Sequence, residues 1–119
     1  MYTVRVEQHF SAAHYLSGYE GDCSRMHGHE WRVELLVSAP TLREFDGCML
    51  LDFREAKQRL AWALEPLDHT TLNNQLITPT AERLAYYLYC QLAPSLGNYR
   101  ITLRVWESHD TYVEYTEDR

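Results

Sequence analysis

Three histidines in this chain are spaced to hold one metal ion. In His27-Gly28-His29 two imidazoles stand two residues apart, and on a β-strand that spacing sends both to the same face. Trp31, Val33, Leu35 and Val37 continue the same parity, so the pair belongs to the apolar side of its strand. Gly28 between them permits close approach of backbone or ligand. His14 shares the parity of Phe10 and Ala12 and lies just beyond the end of the strand expected over Tyr2 to Ala12. If the first two strands form a hairpin, the end of one meets the start of the other, and His14 joins the pair. A lone H-x-H motif is weak on its own; the third histidine makes it a site. Three neutral nitrogens without a thiolate suit zinc, and three protein ligands rather than four leave a position open for chemistry.

Other groups could use that position. Cys23 precedes His27 by four residues in a polar loop, where a nearby cation lowers a thiol's pKa and makes it a base or nucleophile. Direct ligation of zinc is its rival role. Asp68-His69 follows the first predicted helix, and a carboxylate that orients an imidazole supplies a general acid or base near neutral pH. Glu107 shares the parity of Ile101, Leu103 and Val105, a carboxylate on an apolar strand face that needs donors. A ligand offering two parallel N–H groups would provide them. His9 and His109 have no such company and are expected at the surface or core edge.

These residues must be positioned by a small set of elements. Tyr2, Val4, Val6, Gln8 and Phe10 alternate with Thr3, Arg5 and Glu7, and Trp31 to Val37 alternate with Arg32, Glu34 and Ser38; both patterns read as half-buried strands. Asp52 with Glu55 three residues later forms a capping-box pattern. Ala56, Leu60, Ala63, Leu64 and Leu67 then trace one helical face, which Pro66 ends. A second helix is expected from Thr78-Pro79, with Ala81, Leu84, Ala85, Leu88 and Leu92 as its stripe. Two further strands close the chain, joined by a tight turn near His109-Asp110. The order is ββ-αα-ββ, an α+β domain over residues 1–119 with an antiparallel four-stranded sheet backed by two helices. Such a sheet has exposed edges, which favour pairing with another subunit, so a homo-oligomer is expected.

Composition narrows the function classes. The 119 residues carry a formal net charge of −6, which argues against nucleic acid as the main partner. No stretch approaches the ~20 apolar residues of a bilayer span, and the start lacks a secretory signal; the expectation is no membrane partner and a cytoplasmic location. Cys23, Cys48 and Cys90 form no C-x-x-C pair and make a poor disulfide framework. Cys48 and Cys90 are read as small packing residues.

Taken together, Phe10-Ser11-Ala12-Ala13-His14, Cys23-Ser24-Arg25-Met26-His27-Gly28-His29, Asp52-Phe53, Leu67-Asp68-His69-Thr70-Thr71-Leu72-Asn73, Pro79-Thr80-Ala81-Glu82 and Glu107 resemble the 6-pyruvoyltetrahydropterin synthase / 6-carboxytetrahydropterin synthase family. The resemblance spans nearly the whole chain in the family's order. It implies the tunnelling fold, whose subunits join into a barrel, usually a hexamer of two trimers with active sites between subunits. It implies His14, His27 and His29 as ligands of Zn2+, Cys23 as general base, His69 with Asp68 as proton relay across an interface, and Glu107 as the anchor of a pterin ring. The implied substrate is a small molecule, 7,8-dihydroneopterin triphosphate. The C-x3-H-G-H spacing resembles the bacterial 6-carboxy-5,6,7,8-tetrahydropterin synthases, which release acetaldehyde and triphosphate in queuosine (7-deazapurine) biosynthesis. The pyruvoyl-forming branch, a pterin epimerase or aldolase, and a non-catalytic zinc- or pterin-binding protein are the alternatives. Two positions depart from the pattern: Asp22 stands where bacterial relatives often carry lysine, and Ser108 to Tyr112 lacks the family's small residues.

Overall fold

A strand pair built on the two alternating segments forms the centre of the molecule. The computed structural model describes residues 1–18, 21, 24–44 and 47–118. Strands β1 (Tyr2–His14) and β2 (His27–Ala39) pair antiparallel along their whole length, with Val6 opposite Leu35, Phe10 opposite Trp31 and His14 opposite His27. Because side chains alternate between faces, Val6, Phe10, Ala12, Trp31, Val33, Leu35 and Val37 all turn inwards and are buried. Strand β4 (Arg100–Ser108) pairs with the far side of β2 and contributes Ile101, Leu103 and Val105, and β5 (Thr111–Thr116) completes a hairpin with β4.

Two helices cover the apolar face. Helix α1 (Phe53–Leu64) begins at Asp52, whose carboxylate accepts the Arg54 amide at 2.8 Å. Glu55 does not close the expected capping box; it is taken by Arg43 and Arg59. Leu67 is buried, but in the turn beyond the helix rather than on it. Helix α2 (Ala81–Leu92) starts two residues later than proline placement suggests, because Thr80 caps it by accepting the Arg83 amide at 3.1 Å. Its stripe is Ala81, Leu84, Ala85, Leu88, Tyr89 and Leu92.

Four expectations need correction. The sheet has five strands, not four, and is mixed: β3 (Thr70–Thr71) runs parallel to β1 at Ala12 and Ala13, giving the order β3-β1-β2-β4-β5. Two residues are too few to show a period, so this strand left no pattern to read. The two cysteines read as packing residues are exposed: Cys90 lies off the α2 stripe, and Cys48 sits in a turn at φ 60°. Glu34 is on the polar face of β2 yet only 2% exposed, beneath side chains from both flanking strands. Finally, His14 is the last residue of β1 rather than just past it. No helix among the described residues is long and apolar enough to cross a membrane.

Candidate functional site

The hairpin brings the three histidines together at its loop end, where β1 finishes and β2 begins. His14 and His27 are direct cross-strand partners, and His29 pairs with Ala12. The ring centroids are 4.4 Å apart for His14–His27, 4.7 Å for His27–His29 and 5.1 Å for His14–His29. His14 is almost fully buried, and Trp31 packs edge-on against both His14 and His29.

Backbone carbonyls set the tautomers. His14 Nδ1 lies 2.8 Å from the carbonyl oxygen of Pro79, and His27 Nδ1 lies 2.7 Å from that of Arg25. A carbonyl only accepts, so each Nδ1 must carry the proton and donate it. Each Nε2 is then left as a lone pair, the arrangement in which an outer hydrogen bond orients a metal-binding imidazole. Among the described residues, Nε2 of His14 and of His29 are buried without an aligned hydrogen-bond partner. Burial holds the His29 imidazole below the ordinary histidine pKa; the Glu107 carboxylate pulls the other way, and the two neighbouring imidazoles reinforce the burial. A lowered pKa favours the neutral ring, the form that binds a metal.

Glu107 completes the cluster. Its Oε1 lies 2.9 Å from His29 Nε2 and 3.3 Å from His14 Nε2, and the donor atoms of His14, His27, His29 and Glu107 all fall within 4.8 Å of one another. Four donors set tetrahedrally around zinc at about 2.0–2.2 Å stand about 3.3–3.6 Å apart. The donor set and its orphaned nitrogens fit such an ion. Parity placed Glu107 on the inner face, and a bulge does the rest. Trp106 pairs with Tyr112 but Ser108 pairs with Thr111, so Glu107 is the extra residue, and bulges re-aim side chains beside functional sites.

Asp68 and His69 meet the site from the edge of the sheet. The Ser11 amide donates to Asp68 Oδ1 at 2.9 Å, and the His69 amide donates to the Ser11 carbonyl at 2.6 Å. His69 Nδ1 stands 3.1 Å from the same Asp68 oxygen. The Ser11 amide, helped by His69 against partial desolvation, holds the Asp68 carboxyl below its ordinary pKa. The His69 ring is 81% exposed, on a left-handed backbone at φ 59°. With His29 it borders one open depression of about 580 Å³ that Ser11, Glu30 and Thr71 also line. Cys23 and Asp22 lie outside the described residues. His9 is half exposed between Glu7 and Glu30, and His109 is exposed.

The positioning groups were not singled out from the sequence. The Asn73 side chain accepts the Tyr15 amide at 3.0 Å and donates to the Tyr15 carbonyl at 2.9 Å. The Leu67 to Asn73 segment thus grips β1 on both sides of His14. Thr78, at φ 53°, holds a backbone conformation that is strained for a β-branched residue just before the Pro79 carbonyl.

Comparison with known proteins fits this architecture. The family model described as 6-pyruvoyl tetrahydropterin synthase matches residues 3–118. The chain belongs to the 6-pyruvoyl tetrahydropterin synthase family. Its members are enzymes of pterin metabolism. A relative from Archaeoglobus fulgidus, named as a putative 6-carboxy-5,6,7,8-tetrahydropterin synthase, is 32% identical over 111 residues, covering 93% of this chain and 92% of its own. A Synechocystis 6-carboxy-5,6,7,8-tetrahydropterin synthase is 34% identical over 97 residues, covering 77% of this chain and 75% of its own. The 6-pyruvoyl tetrahydropterin synthase of Caenorhabditis elegans shares the fold, with a TM-score of 0.81 at 21% identity over 98% of this chain and 96% of its own.

Proposed function

We propose that this chain is a zinc-dependent carbon–oxygen lyase, a 6-carboxy-5,6,7,8-tetrahydropterin synthase that converts 7,8-dihydroneopterin triphosphate with release of acetaldehyde and triphosphate. It would act in the cytoplasm, in the biosynthesis of the 7-deazapurine queuosine. The observation that carries the reading is the convergence of His14, His27, His29 and Glu107, with two buried Nε2 atoms left without aligned partners among the described residues. The two relatives named as 6-carboxy enzymes and the C-x3-H-G-H spacing favour this branch.

The roles follow from the chemistry of each group. Zinc held by His14, His27 and His29 would supply Lewis acidity to the side-chain oxygens of the substrate. Glu107 would hold the pterin ring, its two carboxylate oxygens accepting the 2-amino group and the neighbouring ring N–H as a parallel pair. Cys23 would take a proton from the substrate side chain as general base. His69 would move a proton at Nε2, since Nδ1 faces Asp68 Oδ1 at 3.1 Å; the ionised Asp68 favours the imidazolium that forms.

The sheet edges support an assembly. β3 covers β1 only at Ala12 and Ala13, leaving Tyr2 to Phe10 without a strand partner on that side among the described residues, and β5 is the opposite edge. Edge-to-edge joining of copies would build the barrel, a hexamer of two trimers, and a sedimentation result of a 14.0 kDa monomer at micromolar concentration would count against it.

Incubating the zinc-loaded protein with 7,8-dihydroneopterin triphosphate tests the activity. Acetaldehyde supports the reading, 6-pyruvoyltetrahydropterin moves the chain to the sister branch, and turnover of dephosphorylated pterins alone indicates an epimerase or aldolase. No turnover of any pterin, with zinc and pterin both bound, indicates a non-catalytic binding protein.

A further inference from the structure

Glu107 stands between two places that both want its carboxylate. On one side Oε1 touches the metal-facing nitrogens of His29 and His14, at 2.9 and 3.3 Å. On the other side Glu107 lines a small cavity of about 200 Å³, walled by Val105, Thr111 and Tyr112 and by Ala81 and Glu82 at the start of α2. Its side chain is 35% exposed, so it is not locked into either position by packing. The bulge at Trp106–Ser108 releases it from the strict pleat of β4.

We propose that Glu107 is a displaceable fourth ligand: its carboxylate closes the metal's remaining position until a pterin ring enters the adjoining cavity and draws it off. This rests on the reading above, in which the histidines hold zinc and Glu107 anchors the ring. The exchange follows from the geometry of a carboxylate. Pairing with two parallel N–H groups needs both oxygens turned together towards the ring, and both histidine contacts are made by Oε1. Turning Glu107 to the cavity therefore takes Oε1 from the ion. The position that opens is then available to the oxygens of the same ligand's side chain. Ring recognition and the opening of the metal become one event, and a molecule without the ring would meet a metal with four protein ligands. By linkage, a ring that withdraws a ligand must weaken the ion's binding by the same factor that the ion weakens the ring's.

Cobalt in place of zinc reports the coordination directly, through its visible absorption. The probe is 2-amino-4-oxopteridine, which has the ring and no side chain, with its own fluorescence reporting that it has bound. The wild-type cobalt spectrum is expected to differ from that of Glu107→Gln, which keeps the side chain's size but is a far weaker ligand. A chelator should strip the variant at least ~10-fold more readily, the lower end of what losing even an outer-shell partner costs. Saturating pteridine should move the wild-type spectrum towards that of the variant and ease cobalt removal. Identical spectra for wild type and Glu107→Gln, both with cobalt bound, would overturn the ligand role alone. Bound pteridine with an unchanged wild-type spectrum would overturn the displacement. Failure of the wild type to take up cobalt, or to bind pteridine, would overturn the proposal together with the metal or the pterin reading beneath it.

Discussion

The side-chain amide of Asn73 closes on both backbone groups of Tyr15, 58 residues away, with hydrogen bonds of 3.0 and 2.9 Å. Tyr15 is the first residue after β1, so the clamp fixes the chain immediately beyond His14. Four residues earlier, Ser11 is held in the same way by Asp68 and His69. His14 itself is tied to Pro79 at the approach to α2. A metal-facing imidazole at the end of a strand would otherwise fray with it; here three separate anchors hold it.

Replacing Asn73 by Ala should therefore loosen the site before it unfolds the protein. The Tyr15 backbone groups are part-buried, and leaving them unpaired costs about 1–3 kcal/mol. The expected result is that loss of stability in chemical denaturation, together with weaker metal retention against a chelator. Unchanged metal affinity alongside the stability loss would show that Asn73 supports the fold and not the site.

Removing His27 or His29 should abolish tight metal binding while leaving the fold intact, because both rings are only partly buried. Metal analysis of purified His29→Ala should find zinc falling from about one per chain to near none. His9→Ala should retain it, since His9 lies among Glu7 and Glu30 rather than in the cluster. Equal zinc content in His29→Ala and wild type would remove His29 from the ligand set.

How much of this was legible beforehand depended on whether the signal was periodic. Parity alone put His27, His29 and Glu107 on the inner face, and hairpin pairing brought His14 opposite His27, because a period of two is set by the backbone and survives folding. The bulge that re-aims Glu107 leaves no trace in composition, since it depends on how β5 pairs. Strand β3 is two residues long and exists through its pairing with Ala12 and Ala13 of β1, a tertiary contact. Cys90 misled because an apolar helix suggests burial all round, whereas its own angular position is off the stripe. The carbonyls of Pro79 and Arg25 are invisible in principle, as every residue carries one.

The relay reading makes His69 dispensable for metal binding and necessary for turnover. His69→Ala should keep zinc and lower kcat by on the order of 10²-fold or more, the usual contribution of a positioned acid or base. Asp68→Asn keeps an oxygen for the Ser11 amide but removes the charge beside His69, so it should lower kcat while leaving zinc bound. A His69→Ala enzyme with wild-type kcat would remove the relay.

The outer face of the sheet sets a separate pH dependence. Glu34 is buried there, hydrogen-bonded by Arg5 and by Trp106 Nε1, with Arg104 Nη1 at 3.8 Å and the Arg32 guanidinium stacked 3.8 Å over the Trp106 ring. Burial alone would raise its pKa; the Arg5 and Trp106 hydrogen bonds and the arginine charges outweigh it, and the net shift is below the ordinary 4.5. A carboxyl with a depressed folded-state pKa binds fewer protons folded than unfolded between the two values. Its stabilising contribution is therefore complete above about pH 4.5 and fades as pH falls towards the folded-state value. Glu34→Gln should cost about 1.5–3 kcal/mol at pH 7, the range for hydrogen bonds to charged groups. It should stay below the cost of a fully buried broken pair, because Arg5 and Arg104 are 44% and 31% exposed and rehydrate. Denaturant titrations at pH 7 and pH 3 check this: the difference between wild type and variant should shrink at the lower pH. A difference that is the same at both would show that Glu34 acts through its shape rather than its charge.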